Sequence, residues 1–201
     1  MADLRAYKAG PIEPAALPGD NFLVMFNGKY SLYKVAAVEQ LPPSPATTVN
    51  VGAIAAGASI NNYDPSASLN MPNGTVAQLR FLLLDDALVT VKQGAGAVRF
   101  ATKSSQAQIG PFAKLVHPDD ALTEIAWFED QFPTFQVQNI TNYALALCRL
   151  VFYGWRFLLI GKDGIPKAGV HTDPIAEFGS PAEAKLAGNS FTVINEGGFV
   201  R

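Results

Sequence analysis

Residues 142–161, NYALALCRLVFYGWRFLLIG, constrain this chain more than any other stretch. Fifteen of these 20 residues are aliphatic, aromatic or cysteine, yet Arg149 and Arg156 sit among them. A membrane-spanning helix needs about 20 predominantly apolar residues. Each arginine would cost about 2.5–3.5 kcal/mol on insertion, against gains of about 0.3–0.6 kcal/mol per strongly apolar residue. A membrane span is therefore not expected, and no second candidate accompanies it. Ala144, Leu145, Ala146 and Leu147 favour a helix. Val151, Phe152, Tyr153, Trp155 and Phe157 favour strands, and no polar face of useful width is present. Strands are the favoured reading. Either one strand bends near Gly154 or two meet there, because glycine inside a strand often marks a bulge. Alternation places Arg149 with Leu147, Val151, Tyr153 and Trp155, and Arg156 with Phe152 and Leu158. Both faces are then apolar, so both should be covered by protein, from an arm or a neighbouring subunit. The arginines need acidic, carbonyl or aromatic partners.

The rest of the chain supplies further β signals. In NFLVMFNGKYSLYKV, residues 21–35, two apolar runs flank Asn27-Gly28, a pair suited to the positive φ angles of a type I′ hairpin turn. Residues 79–84, 87–91 and 97–101 read as short strands separated by turn signals, as does 132–141, where Phe135, Val137 and Asn139 alternate with Gln136 and Gln138. Residues 117–130, HPDDALTEIAWFED, read as a helix, with Pro118 in the first turn and Asp119 and Asp120 at the positive end of its dipole. A short helix over 181–187, a strand over 191–194 and a turn at Lys162-Asp163-Gly164 complete the pattern. The expected fold is mainly β: a β-sandwich or jelly-roll-like core with one or two short helices and long extended arms.

The β-rich core domain spans 21–168, and three segments, one of them inside it, differ from the rest in composition. Residues 1–20 contain three prolines and two glycines and read as an N-terminal arm. Residues 40–79 form a long neutral loop or arm in which Asp64 is the sole charge. Its Ile54, Ile60, Tyr63, Leu69 and Met71 are candidate contact residues, packing on their own domain or on a neighbouring subunit. With Arg149, Trp155 and Arg156 they make the set of assembly candidates. Residues 169–201 read as a turn-rich tail.

Chemistry is harder to find. His117 and His171 are the available histidine bases. His117-Pro118-Asp119-Asp120 reads as a helix start, and His171-Thr172-Asp173 as a loop. Cys148 sits among apolar residues, where a buried inert thiol is the ordinary state. Asp85-Asp86 reads as a turn. Gly161-Lys162-Asp163-Gly164 lacks phosphate-loop spacing, and Gly94-Ala95-Gly96 is not a dinucleotide fingerprint. No catalytic, cofactor-binding or metal-binding residue is assigned. A single cysteine excludes an internal disulfide and a multi-cysteine zinc site. Asn73-Gly74-Thr75 and Asn139-Ile140-Thr141 match the glycosylation pattern but are read as chance matches. The opening MADLRAYKAGPIEP lacks the apolar core of a signal peptide, so synthesis in a host cytoplasm is expected.

Charge narrows the function classes. Fifteen basic and 17 acidic residues give a net charge of −2 with no basic block, so no direct nucleic-acid site is evident. Charged residues make up 16% of the chain, against about 25% in an average soluble domain, which suggests that much of the surface faces other protein. With the neutral arm at 40–79 and the aromatic run NITNYALALCRLVFYGWRF, the chain resembles bacteriophage virion structural proteins: capsid, decoration or tail-connecting subunits. The resemblance implies a non-enzymatic subunit of a virus particle that self-assembles through apolar surfaces and extended arms. It implies copies of itself and other virion proteins as partners, and location in the virion. The alternative is a small-ligand or carbohydrate-binding β domain that stacks its ligand on Tyr30, Tyr33, Tyr63 or Trp155. An uncharacterised hydrolase would need His117 or His171 to meet carboxylates in a cleft.

Overall fold

The structure is a computed structural model and describes residues 13–26, 29–69, 71–83, 85, 87–93, 97–103, 114–115, 125–128, 134–195 and 198–200. In chain order its strands are β1 (Asn21–Phe26), β2 (Lys29–Leu41), β3 (Thr48–Asn50), β4 (Ser59–Tyr63), β5 (Thr75–Leu83), β6 (Ala87–Gln93), β7 (Ala97–Lys103), β8 (Lys114–Leu115), β9 (Ile125–Phe128), β10 (Thr134–Asn139), β11 (Arg149–Ile160), β12 (Ala176–Phe178), β13 (Phe191–Asn195) and β14 (Gly198–Val200). Among the described residues two short α-helices join them, α1 (Ser66–Leu69) and α2 (Pro181–Leu186). The chain is mainly β, as its alternating and aromatic runs require.

The larger sheet is organised around β11. One edge of β11 pairs along β5, from Leu150↔Leu83 to Leu158↔Thr75. The other edge pairs first with β3 and then with β2. From there the sheet continues through β1 to β13 and β14, with β12 on the second edge of β2. On the far side of β5 lie β8 and β9. The β1–β2 pair is antiparallel with Phe26 opposite Lys29, the register of a hairpin with a two-residue connection. The β1–β13 pair is parallel. A smaller sheet, ordered β4-β10-β6-β7, is antiparallel throughout.

Two apolar cores sit on opposite faces of β11. On one face, Leu150 and Phe152 pack with Leu79 and Phe81 of β5 against Ala87, Val89, Phe135 and Val137 of the smaller sheet. Phe81, Phe135 and Phe152 meet ring to ring, with centroids 5.7–5.8 Å apart. This is face-to-face packing of two sheets. On the other face, Phe157 and Leu159 pack with Phe22, Val24, Tyr33, Val35, Val76 and Phe128. Here the larger sheet curls on itself. Tyr33 of β2 meets Phe128 of β9 at 5.5 Å, although β11 and β5 lie between their strands, and β14 comes back beside β9. A third cluster covers the outer side of the β1–β2 hairpin, where Ala184 of α2 packs on Leu23 and Leu32. Each large apolar side chain buried in this way contributes about 1.5–3 kcal/mol.

Several expectations change. β11 starts only at Arg149, so 142–148 is loop apart from one bridge of Leu145 to Ile54. β11 runs through Gly154 as one strand with an unbroken ladder to β5, while on its other edge the β3 ladder ends at Val151 and the β2 ladder begins at Gly154; a further irregularity against β2 falls between Leu158 and Leu159. Leu150–Gly154 is buried on both faces within the chain, and the second sheet covers the face of Leu150 and Phe152. The helix expected over 117–130 fails in its second half: Ile125–Phe128 is β9, paired with Val76–Leu79. The free edge of β5 offers these β-prone residues a ladder, which outweighs a weak helical pattern. His117 to Glu124 lies outside the described residues.

The segment 40–79 packs on its own domain, one of the two placements expected for it. It contributes β3, β4, α1 and the first part of β5. Ile54 and Leu69 are buried in the core between the sheets, and Ile60, Tyr63 and Met71 pack against it. All five thus pack on their own domain, Ile54 and Leu69 wholly and the other three in part. Small residues between them let the backbone lie flat on the core, the property that made the segment look like an arm.

Candidate functional site

The loop 140–148 is where the most apolar stretch meets solvent. Ile140, Tyr143 and Leu147 are each 45% exposed, with Ala144 and Ala146 exposed between them. No residue from 140 to 147, ITNYALAL, carries a charge. The loop is nonetheless held firmly. Asn139, the last residue of β10, is fully buried. Its Nδ2 donates to the carbonyls of Ile54 (3.1 Å), Ala55 (3.2 Å) and Tyr143 (2.7 Å). Its Oδ1 accepts from the Thr141 N–H (2.9 Å) and hydroxyl (2.7 Å). Leu145 and Ile54 exchange both backbone hydrogen bonds at 2.9 Å. A buried carboxamide used this fully fixes the loop's path. It also removes Asn139 as a glycan acceptor, since its side-chain nitrogen is enclosed.

The far end of the loop is tied by charge. Asp85 Oδ2 accepts from the Arg149 N–H (2.8 Å) and Nε (3.1 Å), while Oδ1 accepts from Nη2 (3.1 Å). This fork supplies the acidic partner that Arg149 needs. It also explains Asp85 as a structural anchor. Arg156 is similarly held by Glu39 on the neighbouring strand. Both arginine candidates are thus engaged within the chain.

Cys148 lies between these anchors with no exposed surface. Burial pushes its thiol up to about 12, Asp85 adds to the effect, and Arg149 opposes it. The thiolate that nucleophilic or metal chemistry requires is therefore scarce at neutral pH. We expect Cys148 in the folded protein to resist an aromatic disulfide reagent at pH 8 and to react fully once the chain is denatured. Rapid labelling of the native protein would show that the thiol is accessible.

His171 lies on the exposed loop 161–175, in a shallow cleft lined by Lys162, Asp163, Ile165, Lys167, Val170 and Asp173. Its Nε2 is 3.7 Å from Asp173 Oδ1. The other charges pair off, Lys162 with Asp173 at 2.7 Å and Lys167 with Asp163 at 3.3 Å. Asp163 is held below the usual carboxylate range by the Ile165 N–H and then Lys167, and Asp173 by Lys162. These are the interactions of a pinned turn: Asp163 Oδ1 accepts from the Ile165 N–H, and Gly164 takes a positive φ of 72°.

The aromatic residues weighed for ligand stacking do not form one surface. Tyr33 is buried, while Tyr30, Tyr63 and Trp155 pack against three different clusters. Trp155, an assembly candidate, is half-buried against the curled core. The Asn139 clamp was missed because nothing local marks it. Two of its acceptors lie 84 and 85 residues away, and alternation with Phe135 and Val137 says on which side of the strand the amide lies but not what it meets. No helix among the described residues is long and apolar enough to cross a membrane. No family model, curated protein or solved structure matches this chain.

Proposed function

We propose that the chain is a non-enzymatic structural subunit of a virus-type particle, of the bacteriophage kind, and that it assembles with copies of itself. The observation that carries this reading is the clamped, charge-free loop 140–147 with Ile140, Tyr143 and Leu147 open to solvent. Covering apolar surface stabilises a contact by about 25 cal/mol per Å². A loop already fixed by Asn139 and Leu145 loses little conformational freedom when it is covered. A neutral patch also suits a second copy. Two such patches can face each other without burying an unpaired charge, as a self-complementary interface requires. The low charge of the whole chain fits extensive contact with other protein.

This reading moves the contact surface. The segment 40–79 supports the loop from beneath, through Ile54, instead of reaching outward. The test is a double substitution, Tyr143→Asp with Leu147→Asp. Both side chains are exposed, so the fold should keep its melting temperature within a few degrees. The native mass should fall from that of an assembly to that of one chain. An unchanged assembly mass in the doubly charged variant would overturn the proposal.

A further inference from the structure

The segment Glu13–Ala16 enters the curled face of the larger sheet and is held there mainly through its backbone. Gln78 of β5 is fully buried and points into that space. Its Oε1 accepts from the Ala15 N–H (2.9 Å), and its Nε2 donates to the Glu13 carbonyl (3.3 Å). These are the two groups, flanking one residue, that a parallel neighbouring strand would engage. From the opposite side, the Thr192 hydroxyl of β13 donates to the Ala15 carbonyl (2.8 Å). Ala16 is buried among Phe22, Val24, Tyr33, Phe128 and Phe157, and Ala15 packs beside it. The segment thus bridges β5 and β13 across the face on which the sheet curls.

Recognition of this kind reads main chain, not side chains. Glu13 and Ala15 contribute N–H and carbonyl groups, and Ala16 inserts one methyl. The segment is joined to β1 by a compact turn. Asp20 accepts from the Leu17 N–H (2.9 Å), the Asp20 N–H returns to the Leu17 carbonyl (3.0 Å), and Gly19 adopts φ +95°. Opening that turn would release residues 13–16 while leaving the β1 ladders intact. Few contacts would be lost, and the identical segment of another chain would restore them all. Exchange of an identical element between copies is a low-cost route to association.

We propose that Glu13–Ala16 is an exchangeable peg: the groove between Gln78 and Thr192 takes this segment from a second copy of the chain. The idea deepens the assembly reading and rests on it. It adds a directional link from the start of one chain to the curled sheet of the next, separate from the loop 140–147.

The test uses full-length chains. One version carries Ala15→Cys and the other Thr192→Cys. They are produced together, oxidised mildly, blocked with an alkylating reagent and run on a denaturing gel. A chain carrying both substitutions is run alongside. The proposal predicts a shift of the main band from one-chain to two-chain mass in the mixture, reversed by reductant. Bridging within single chains in the double variant, with none between chains in the mixture, would overturn exchange. Absence of bridging in both samples would remove the docking itself and overturn it too. The native mass of the same samples separates the two proposals: a large assembly with only intrachain bridging keeps the assembly reading and rejects the peg.

Discussion

Replacing Gly154 by alanine should abolish the native fold at ordinary temperature. Gly154 has φ +148°, a conformation that L side chains rarely adopt. An added Cβ would stand 1.9 Å from the Gln78 carbonyl oxygen and 3.2 Å from the Leu79 Cα. Both neighbours are backbone of β5, the strand that pairs with β11 over most of its length, so neither can swing aside. Relief would require parting the central ladder between the two cores. We expect a loss of at least about 4–5 kcal/mol, the range reserved for disruptive core changes and comparable to the whole stability of a small domain. The measurement is chemical denaturation, or failure to recover soluble protein. Gly164→Ala provides the contrast. Its φ is also positive, but nothing lies within 4 Å of the added methyl, so only backbone strain of about 1–2 kcal/mol should appear. Equal effects at the two sites would mean that the close approach of β11 to β5 is not what requires glycine.

Asn139→Ala should have the next largest effect. The change removes three donated and two accepted hydrogen bonds inside the protein. The Ile54 and Ala55 carbonyls keep the Leu145 and Ala58 N–H groups as donors, so the loss is that of the side chain's own bonds. At about 0.5–1.5 kcal/mol net for each hydrogen bond, a total near 3–4 kcal/mol is expected. The effect should also be local. Amide hydrogen exchange at Thr141 to Leu147 should accelerate more than in β10 or β11, because the loop loses its clamp while the sheets keep theirs. Assembly should weaken along with it, since the apolar loop would have to be ordered at the moment of contact. Retained protection of 141–147 in the alanine variant would show that the Leu145–Ile54 bridge alone fixes the loop.

Short-range signals made much of the architecture legible. The Asn27-Gly28 pair, the alternation from Phe135 to Asn139 and the aromatic density of Val151–Phe157 each pointed to the strand that is found. Pro181 and Phe191 marked the late helix and strand. What stayed hidden depends on distant partners. Ile125–Phe128 reads as helix until the free edge of β5 is known to lie beside it. Ile54 and Leu69 read as arm residues until the cleft between the two sheets is there to receive them. The doubly apolar character of Leu150–Gly154 was correctly seen as a demand for two covers, but periodicity cannot say which protein supplies them. The exposed part of the stretch turned out to be its less aromatic first half. Leucine and alanine look equally suited to core and to surface. Only the position of Asn139 and the late start of β11 at Arg149 decide that Tyr143 and Leu147 face out.

The central claim is that this β scaffold works by contact with copies of itself. Native mass measured over a dilution series tests it most directly. The account predicts a defined multiple of the chain mass at micromolar concentration, converted to single chains by Tyr143→Asp with Leu147→Asp. A wild-type protein that stays at the mass of one chain across the whole series would contradict it.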